Sequence, residues 1–317
     1  MTLHPLSFFG LNGSRALAER VATRLEVPLA QHEERDFEDG EHKTRSLQSV
    51  RGHDVFVLHA LHGDEKESGN DKLCRLLFFC GALKDAGAQS VTAITPYLCY
   101  ARKDRRTKTN DPVITRYVAA MFEAVRIDRV IAVEVHNVTA FENAFRCPTW
   151  HIEIAHVMAA HFAPLVRGEQ VVAVSPDAGG AKRAEQFRQA LEKLTGTDVS
   201  SAYMEKFRSG GVVSGALLAG EVRGRVAVII DDLISTGGTL VRAAEACRAA
   251  GATKVFAAAA HGLFVGGART LFETPAIDQI IVTNTVPTCH AASAAATRLM
   301  ILDASQAIAR AVAACRD

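Results

Sequence analysis

Seven cysteines are scattered through this chain of 317 residues, an odd number with no C-x-x-C pair among them. That excludes a disulfide framework as the organising device and fits reduced thiols, so a cytoplasmic location is expected. No apolar run approaches the roughly 18 residues of a membrane span, so no membrane association is expected. The first nine residues lack a basic start, an apolar stretch and a small-residue cleavage site, and no signal peptide is expected. Charge of one sign is missing too. The formal net charge is +1, which argues against nucleic acid as a partner and leaves anion binding to local sites. Low-complexity tracts are absent.

What is present is ordinary globular composition, with 48% hydrophobic and 22% charged residues, in a length that suits two domains. Apolar runs rich in Val and Ile occur at 55–58, 91–94, 130–135, 171–174, 226–230, 255–260 and 280–282. They do not alternate with polar residues, which is how strands buried on both faces read. Helix-like segments at 14–25, 71–86, 113–125, 152–162, 181–194, 239–250 and 305–315 lie before, between and after them. This alternation predicts an α/β chain with mostly parallel sheets and crossover helices. Two sheets fit better than one, with the change at 148–153. The domains are therefore 1–150 and 151–299, and the stretch 300–317 could return to the first. Residues 62–70 read as a polar loop, and 209–220, rich in glycine, as a mobile one.

The strongest chemical signal is Val228-Ile229-Ile230-Asp231-Asp232-Leu233-Ile234-Ser235-Thr236-Gly237-Gly238-Thr239. A buried strand ends in two acids, and a short loop then opens a helix. Free N–H groups and the positive dipole end of a helix N-terminus attract an anion. Glycines allow close backbone approach, while threonine hydroxyls donate further bonds. The acids suit ribose hydroxyls or a metal ion. A second strand-to-helix turn, Ser175-Pro176-Asp177-Ala178-Gly179-Gly180-Ala181-Lys182-Arg183-Ala184, places Asp177 at a strand's carboxyl end, where parallel sheets bind ligands. A capping aspartate is the alternative reading of Asp177. The segment Arg102-Lys103-Asp104-Arg105-Arg106 follows a buried strand and suits a polyphosphate, although charge runs are commonly solvated surface. The turn Asp36-Phe37-Glu38-Asp39-Gly40-Glu41, the strand-end Glu134-Val135-His136 and the pair Lys206 and Arg208 say little by themselves. His151, His156 and His161 recur every five residues, about 140° apart on a helix, so they read as ordinary helix residues that cannot share a metal.

Together these segments resemble the ribose-phosphate diphosphokinase (PRPP synthase) family, in the family's own order over nearly the whole chain. The 228–239 stretch looks like the loop that family shares with type I phosphoribosyltransferases. The 175–184 stretch resembles S-P-D-x-G-G-x-x-R-A, and 96–104 resembles P-Y-x-x-Y-A-R-Q-D. The resemblance implies two phosphoribosyltransferase-like (type I) domains. It also implies transfer of the diphosphoryl group of ATP to the anomeric hydroxyl of ribose 5-phosphate. By the same token Lys206 and Arg208 are the catalytic pair, and Phe37, Asp39, Gly40, Glu41, Arg102, Lys103 and Asp104 bind ATP. Asp231, Asp232, Ser235, Thr236, Gly237, Gly238, Thr239 and Arg208 bind ribose 5-phosphate, and His136 and Asp177 hold Mg2+. A homo-oligomer is implied as well. The chain departs from the family at 62–70, at Lys103 for Gln, at Glu134 for Asp, at 137–145 and after Arg208. A non-catalytic regulatory subunit and a phosphoribosyltransferase are the alternatives. The first would lack groups that are present here, and the second would not need the 175–184 and 96–104 segments.

Overall fold

Strands built from unbroken valine and isoleucine runs need cover on both faces, and the segments between them supply it by coiling into amphipathic helices. The computed structural model describes residues 4–209, 212–287 and 297–316, giving backbone alone for 206–209 and 212–216. The described residues divide into two compact units. One runs to Ile152 and takes in Thr285–Pro287 and the chain from Ala304; the other holds Glu153–Asn284 and 297–303.

In the first unit, β1 (Leu6–Gly10) leads to α1 (Arg15–Arg24) and an antiparallel hairpin of β2 (His32–Asp36) and β3 (His42–Ser46). Then come β4 (Asp54–Leu58), α2 (Gly69–Asp85), β5 (Ser90–Thr95), α3 (Ile114–Ala124), β6 (Arg129–Val133), α4 (Val138–Ala144) and β7 (Thr149–Ile152). The sheet order is β1-β4-β5-β6-β7, parallel throughout. Ser68 starts α2 with a reciprocal capping box: its hydroxyl accepts from the Asp71 N–H, and the Asp71 carboxylate accepts from the Ser68 N–H. Phe9 of β1 packs edge-to-face on Phe79 of α2 at 5.2 Å, and both rings are fully buried. Burying each contributes on the order of 1.5–3 kcal/mol.

The second unit begins with α5 (Ala155–Leu165). It continues through β8 (Val171–Ser175), α6 (Ala181–Thr195), β9 (Val199–Ser209), β10 (Val212–Ala219), β11 (Val226–Ile234), α7 (Gly238–Ala249), β12 (Lys254–Gly262), α8 (Arg269–Glu273), β13 (Gln279–Thr283) and β14 (Leu299–Leu302). Its sheet order is β10-β9-β8-β11-β12-β13-β14; β10 pairs antiparallel with β9, and the other pairings are parallel. The final helix α9 (Ser305–Ala314) belongs to the first unit, where Arg24 of α1 donates to the Ser305 hydroxyl at 2.6 Å.

Three elements differ from the sequence reading. β11 does not stop at Ile230 but carries Asp231 and Asp232 within it, because Leu233 and Ile234 keep pairing with His261 and Gly262 of β12. The glycine-rich 209–220 stretch is no open loop over 212–219. Its valines and leucines pair with β9, and a register shift between Val213 and Gly215 accommodates the glycine there. His151 lies on β7 instead of a helix, and its Nε2 accepts from the Val135 N–H at 3.2 Å.

Candidate active site

In the second unit the chain leaves β8 toward β9 on one side and takes up β11 on the other. The carboxyl ends of β8 and β11 thus frame a topological switch point, where open α/β sheets bind ligands. The turn after β8 is held by Asp177. Its Oδ1 accepts from the N–H groups of Gly179 and Gly180 at 3.0 and 3.1 Å, and the Ser175 hydroxyl donates to its carbonyl at 2.6 Å. Asp177 therefore does act as a cap. A carboxylate has about four acceptor positions, so capping does not exhaust it.

The turn after β11 needs glycine. Gly237 has φ +79°, and a Cβ there would sit 2.8 Å from the Leu271 Cβ. Its left-handed backbone brings Ser235 and Thr236 round to the start of α7. Thr236 is exposed, Ser235, Gly238 and Thr239 are half-buried, and the helix they open runs twelve residues. Its first N–H groups and dipole favour an anion at this edge.

The two acids lie inside β11 just before that turn. Asp232 is buried and Asp231 half-buried. Arg183, from the first turn of α6, sits 3.9 Å from an Asp231 oxygen and 4.0 Å from an Asp232 oxygen. Burial, then the neighbouring Asp232 charge, push the Asp231 carboxyl up to about 8, with the Arg183 guanidinium opposing. Sequence reading missed Arg183 as a site residue. It lies inside the 175–184 signature, which was the available signal.

In the first unit the candidate residues follow β2, β5 and β6. The cationic segment begins at Tyr100, whose φ of +59° turns the chain out of the β5 end. The Lys103 N–H donates to the Tyr100 carbonyl at 3.0 Å. From the start of α3, Thr115 donates its N–H to the Lys103 carbonyl and its hydroxyl to the Tyr100 carbonyl, at 3.3 and 3.1 Å. Arg102 and Lys103 remain exposed. Asp104 accepts from the Asn137 side-chain amide at 2.7 Å, and Asn137 also caps α4 by accepting from the Ala140 N–H at 3.1 Å. The cationic segment is thereby tied to the residue next to His136, which is itself exposed. Glu134 is buried with φ +43°, a conformation rare for a side chain of this kind, and it marks where the chain leaves β6.

The acidic turn closes on itself. The Phe37 N–H donates to the Glu41 carbonyl at 2.8 Å and the Gly40 N–H to the Phe37 carbonyl at 3.1 Å. Gly40 has φ +88°, and Asp39, Gly40 and Glu41 are exposed. Phe37 is half-buried beneath the Arg35 guanidinium, 5.0 Å from its ring centre. Lys206 and Arg208 lie on β9 by backbone, two residues apart, and their side chains fall outside the described residues.

The second unit thus gathers Asp177, Asp231, Asp232 and 235–239 at one sheet edge. The first gathers Arg102, Lys103, Asp104 and His136 at another, with the 37–41 turn on a separate hairpin. Residues 6–125 match the N-terminal domain of ribose phosphate pyrophosphokinase, and residues 213–316 match the phosphoribosyl synthetase-associated domain. The chain is 34% identical over 288 residues to ribose-phosphate pyrophosphokinase 1 of Streptococcus agalactiae, covering 90% of this chain and 87% of that one. It is 34% identical over 283 residues to the ribose-phosphate pyrophosphokinase of Fusobacterium nucleatum, covering 89% and 86%. The crystal structure of phosphoribosylpyrophosphate synthetase from Mycobacterium smegmatis superposes with a TM-score of 0.87 at 30% identity, covering 98% of both chains.

Proposed function

This chain belongs to the ribose-phosphate pyrophosphokinase family, and from that premise we propose how its residues divide the reaction. The enzyme makes PRPP and AMP from ribose 5-phosphate and ATP. The anomeric hydroxyl oxygen attacks the β-phosphorus and gives up its proton to solvent, the bond from that phosphorus to the AMP oxygen breaks, and AMP leaves. Little covalent chemistry falls to the protein in such a transfer. Positioning and neutralisation of charge on the equatorial oxygens supply the rate.

The observation that carries the assignment is the second unit's switch point, where an acid pair runs straight into a Gly-Gly-Thr helix start. Ser235, Thr236, Gly237, Gly238 and Thr239 would hold the 5-phosphate, and Asp231 and Asp232 would hold the ribose hydroxyls. Arg102 and Lys103, steadied through Asp104, would hold the ATP phosphates. Phe37, Asp39, Gly40 and Glu41 would meet the adenine, in keeping with a homo-oligomer whose adjoining subunits complete the nucleotide site. Lys206 and Arg208 would close on the reacting phosphates from the β9–β10 hairpin, Arg208 also touching the sugar phosphate. We place the enzyme in the cytoplasm.

Mg2+ takes oxygen ligands and is usually held by one or two carboxylates with substrate phosphates, and Asp177 supplies such a carboxylate. Asp177 fits, since two N–H groups fix its carboxylate at the strand end. His136 would be the family's second contributor. Among the described residues no group of three metal-ligating side chains converges. When bound, the ion neutralises charge developing on the transferred group.

Lys206→Ala tests the catalytic assignment. Turnover is expected to fall by two orders of magnitude or more, on the order of the loss seen when one transition-state donor is removed, with KM for both substrates within a few-fold. Near-normal turnover would remove Lys206 from the mechanism.

A further inference from the structure

The 62–70 stretch, where this chain departs from its family's pattern, is a built structure. Asp64 folds it, with Oδ1 accepting from the Lys66 and Glu67 N–H groups at 2.8 and 2.9 Å. The other Asp64 oxygen takes a very short bond from Lys72 of α2, a lysine with no exposed surface. Burial would raise the Asp64 carboxyl, but the bonds from Lys72, Glu67 and Lys66 hold it down at about 2.

One turn further along α2, on the same face, Arg75 is 4% exposed and serves three carboxylates. It donates to Glu67 at 3.0 Å and to Asp36 at 2.6 Å, and its other terminal nitrogen lies 3.4 Å from Glu34. Glu34 and Asp36 are two apart on β2 and so point to the same side. Asp36 immediately precedes the 37–41 turn. At the far end of the stretch, Asn70 accepts a short bond from the Tyr100 hydroxyl. Tyr100 immediately precedes the 101–106 segment. Both proposed nucleotide-binding segments of the first unit are therefore anchored, at the residue just before each, to the stretch spanning 62–75.

We infer that Arg75, with the 62–70 stretch, is a positioning element for ATP: it fixes the base-contacting turn through Asp36 and the phosphate-contacting segment through Tyr100. This rests on the reading of 37–41 and 102–104 as ATP-binding. Arginine is required because its planar fork reaches several carboxylates at once, whereas lysine is a single point charge. Glu34 carries the hairpin's side of the linkage further, accepting from the Asn12 N–H at 2.6 Å and from His32 at 2.8 Å.

Steady-state kinetics of Arg75→Lys, Asp36→Asn, Tyr100→Phe and Arg102→Ala test this, with GTP as the competing donor and a melting curve for each variant. Asp36 is largely exposed, so Asp36→Asn keeps the test open if Arg75→Lys fails to fold. All three positioning variants are expected to raise KM for ATP roughly tenfold, with kcat and the KM for ribose 5-phosphate within about twofold. Arg75→Lys and Asp36→Asn should also erode the preference for ATP over GTP, while Tyr100→Phe should not, because its anchor serves the phosphate segment alone. If Arg102→Ala raises KM for ATP but Asp36→Asn and Tyr100→Phe leave it unchanged, the positioning inference is wrong and the site reading stands. If Arg102→Ala itself leaves KM for ATP unchanged, the site reading falls and takes the inference with it.

Discussion

At the scale of single residues, Asp231 sets a pH dependence. Its carboxyl is held up at about 8 in the folded protein, by burial first and the Asp232 charge second. The folded state therefore binds this proton more tightly than the unfolded chain, whose carboxylate titrates near 4. Where the folded state binds more protons, stability falls as pH rises. The ligand-free enzyme should lose stability from this group between about pH 4 and about pH 8. Asp231→Asn should remove that part of the slope, so melting temperatures of variant and parent should diverge in the variant's favour toward pH 8. A gap that stays constant across the window would contradict the assignment. The acid pair was legible because adjacent acids before Gly-Gly-Thr form an unusual string. Arg183 was overlooked because its partners lie about fifty positions downstream, and only the pairing of β8 with β11 brings the two stretches together.

Elements carry a different kind of information. The parallel strands were readable from their apolar runs, since two-sided burial demands such runs. Strand ends were less so. β11 continues through two acids because β12 offers partners as far as Gly262, and nothing local in 231–234 announces this. The ties between loops were invisible for the same reason. Asn137 reads as a simple departure from the family, yet it caps α4 and holds Asp104. Serine at 137 can still cap a helix but is too short to repeat the amide's bond to Asp104. Asn137→Ser should keep the parent's melting temperature while trypsin cuts the 102–108 segment faster. Asn137→Ala should be cut as fast as Asn137→Ser and should also melt lower, losing about 1 kcal/mol with the cap. Equal cleavage rates in all three would show that this bond does not restrain the segment. Likewise 62–70 read as a polar insertion, because its meaning lies in charges spread from Glu34 to Tyr100.

For the whole molecule, alternation of strand and helix gave the α/β class, and the order of the signatures gave the family. The end of the chain was the ambiguous part. β14 pairs with β13 in the second unit, while α9 joins the first. Local pattern could place each element but not its unit, since an apolar edge strand and an amphipathic helix are acceptable to either sheet. The most direct test of the reaction is to incubate the purified chain with Mg2+, ATP and ribose 5-phosphate and quantify both products. AMP and PRPP in equal amounts, dependent on the sugar phosphate and on the metal, are expected. Binding of ATP and ribose 5-phosphate without either product would contradict a catalytic role and point to a subunit that works through a partner.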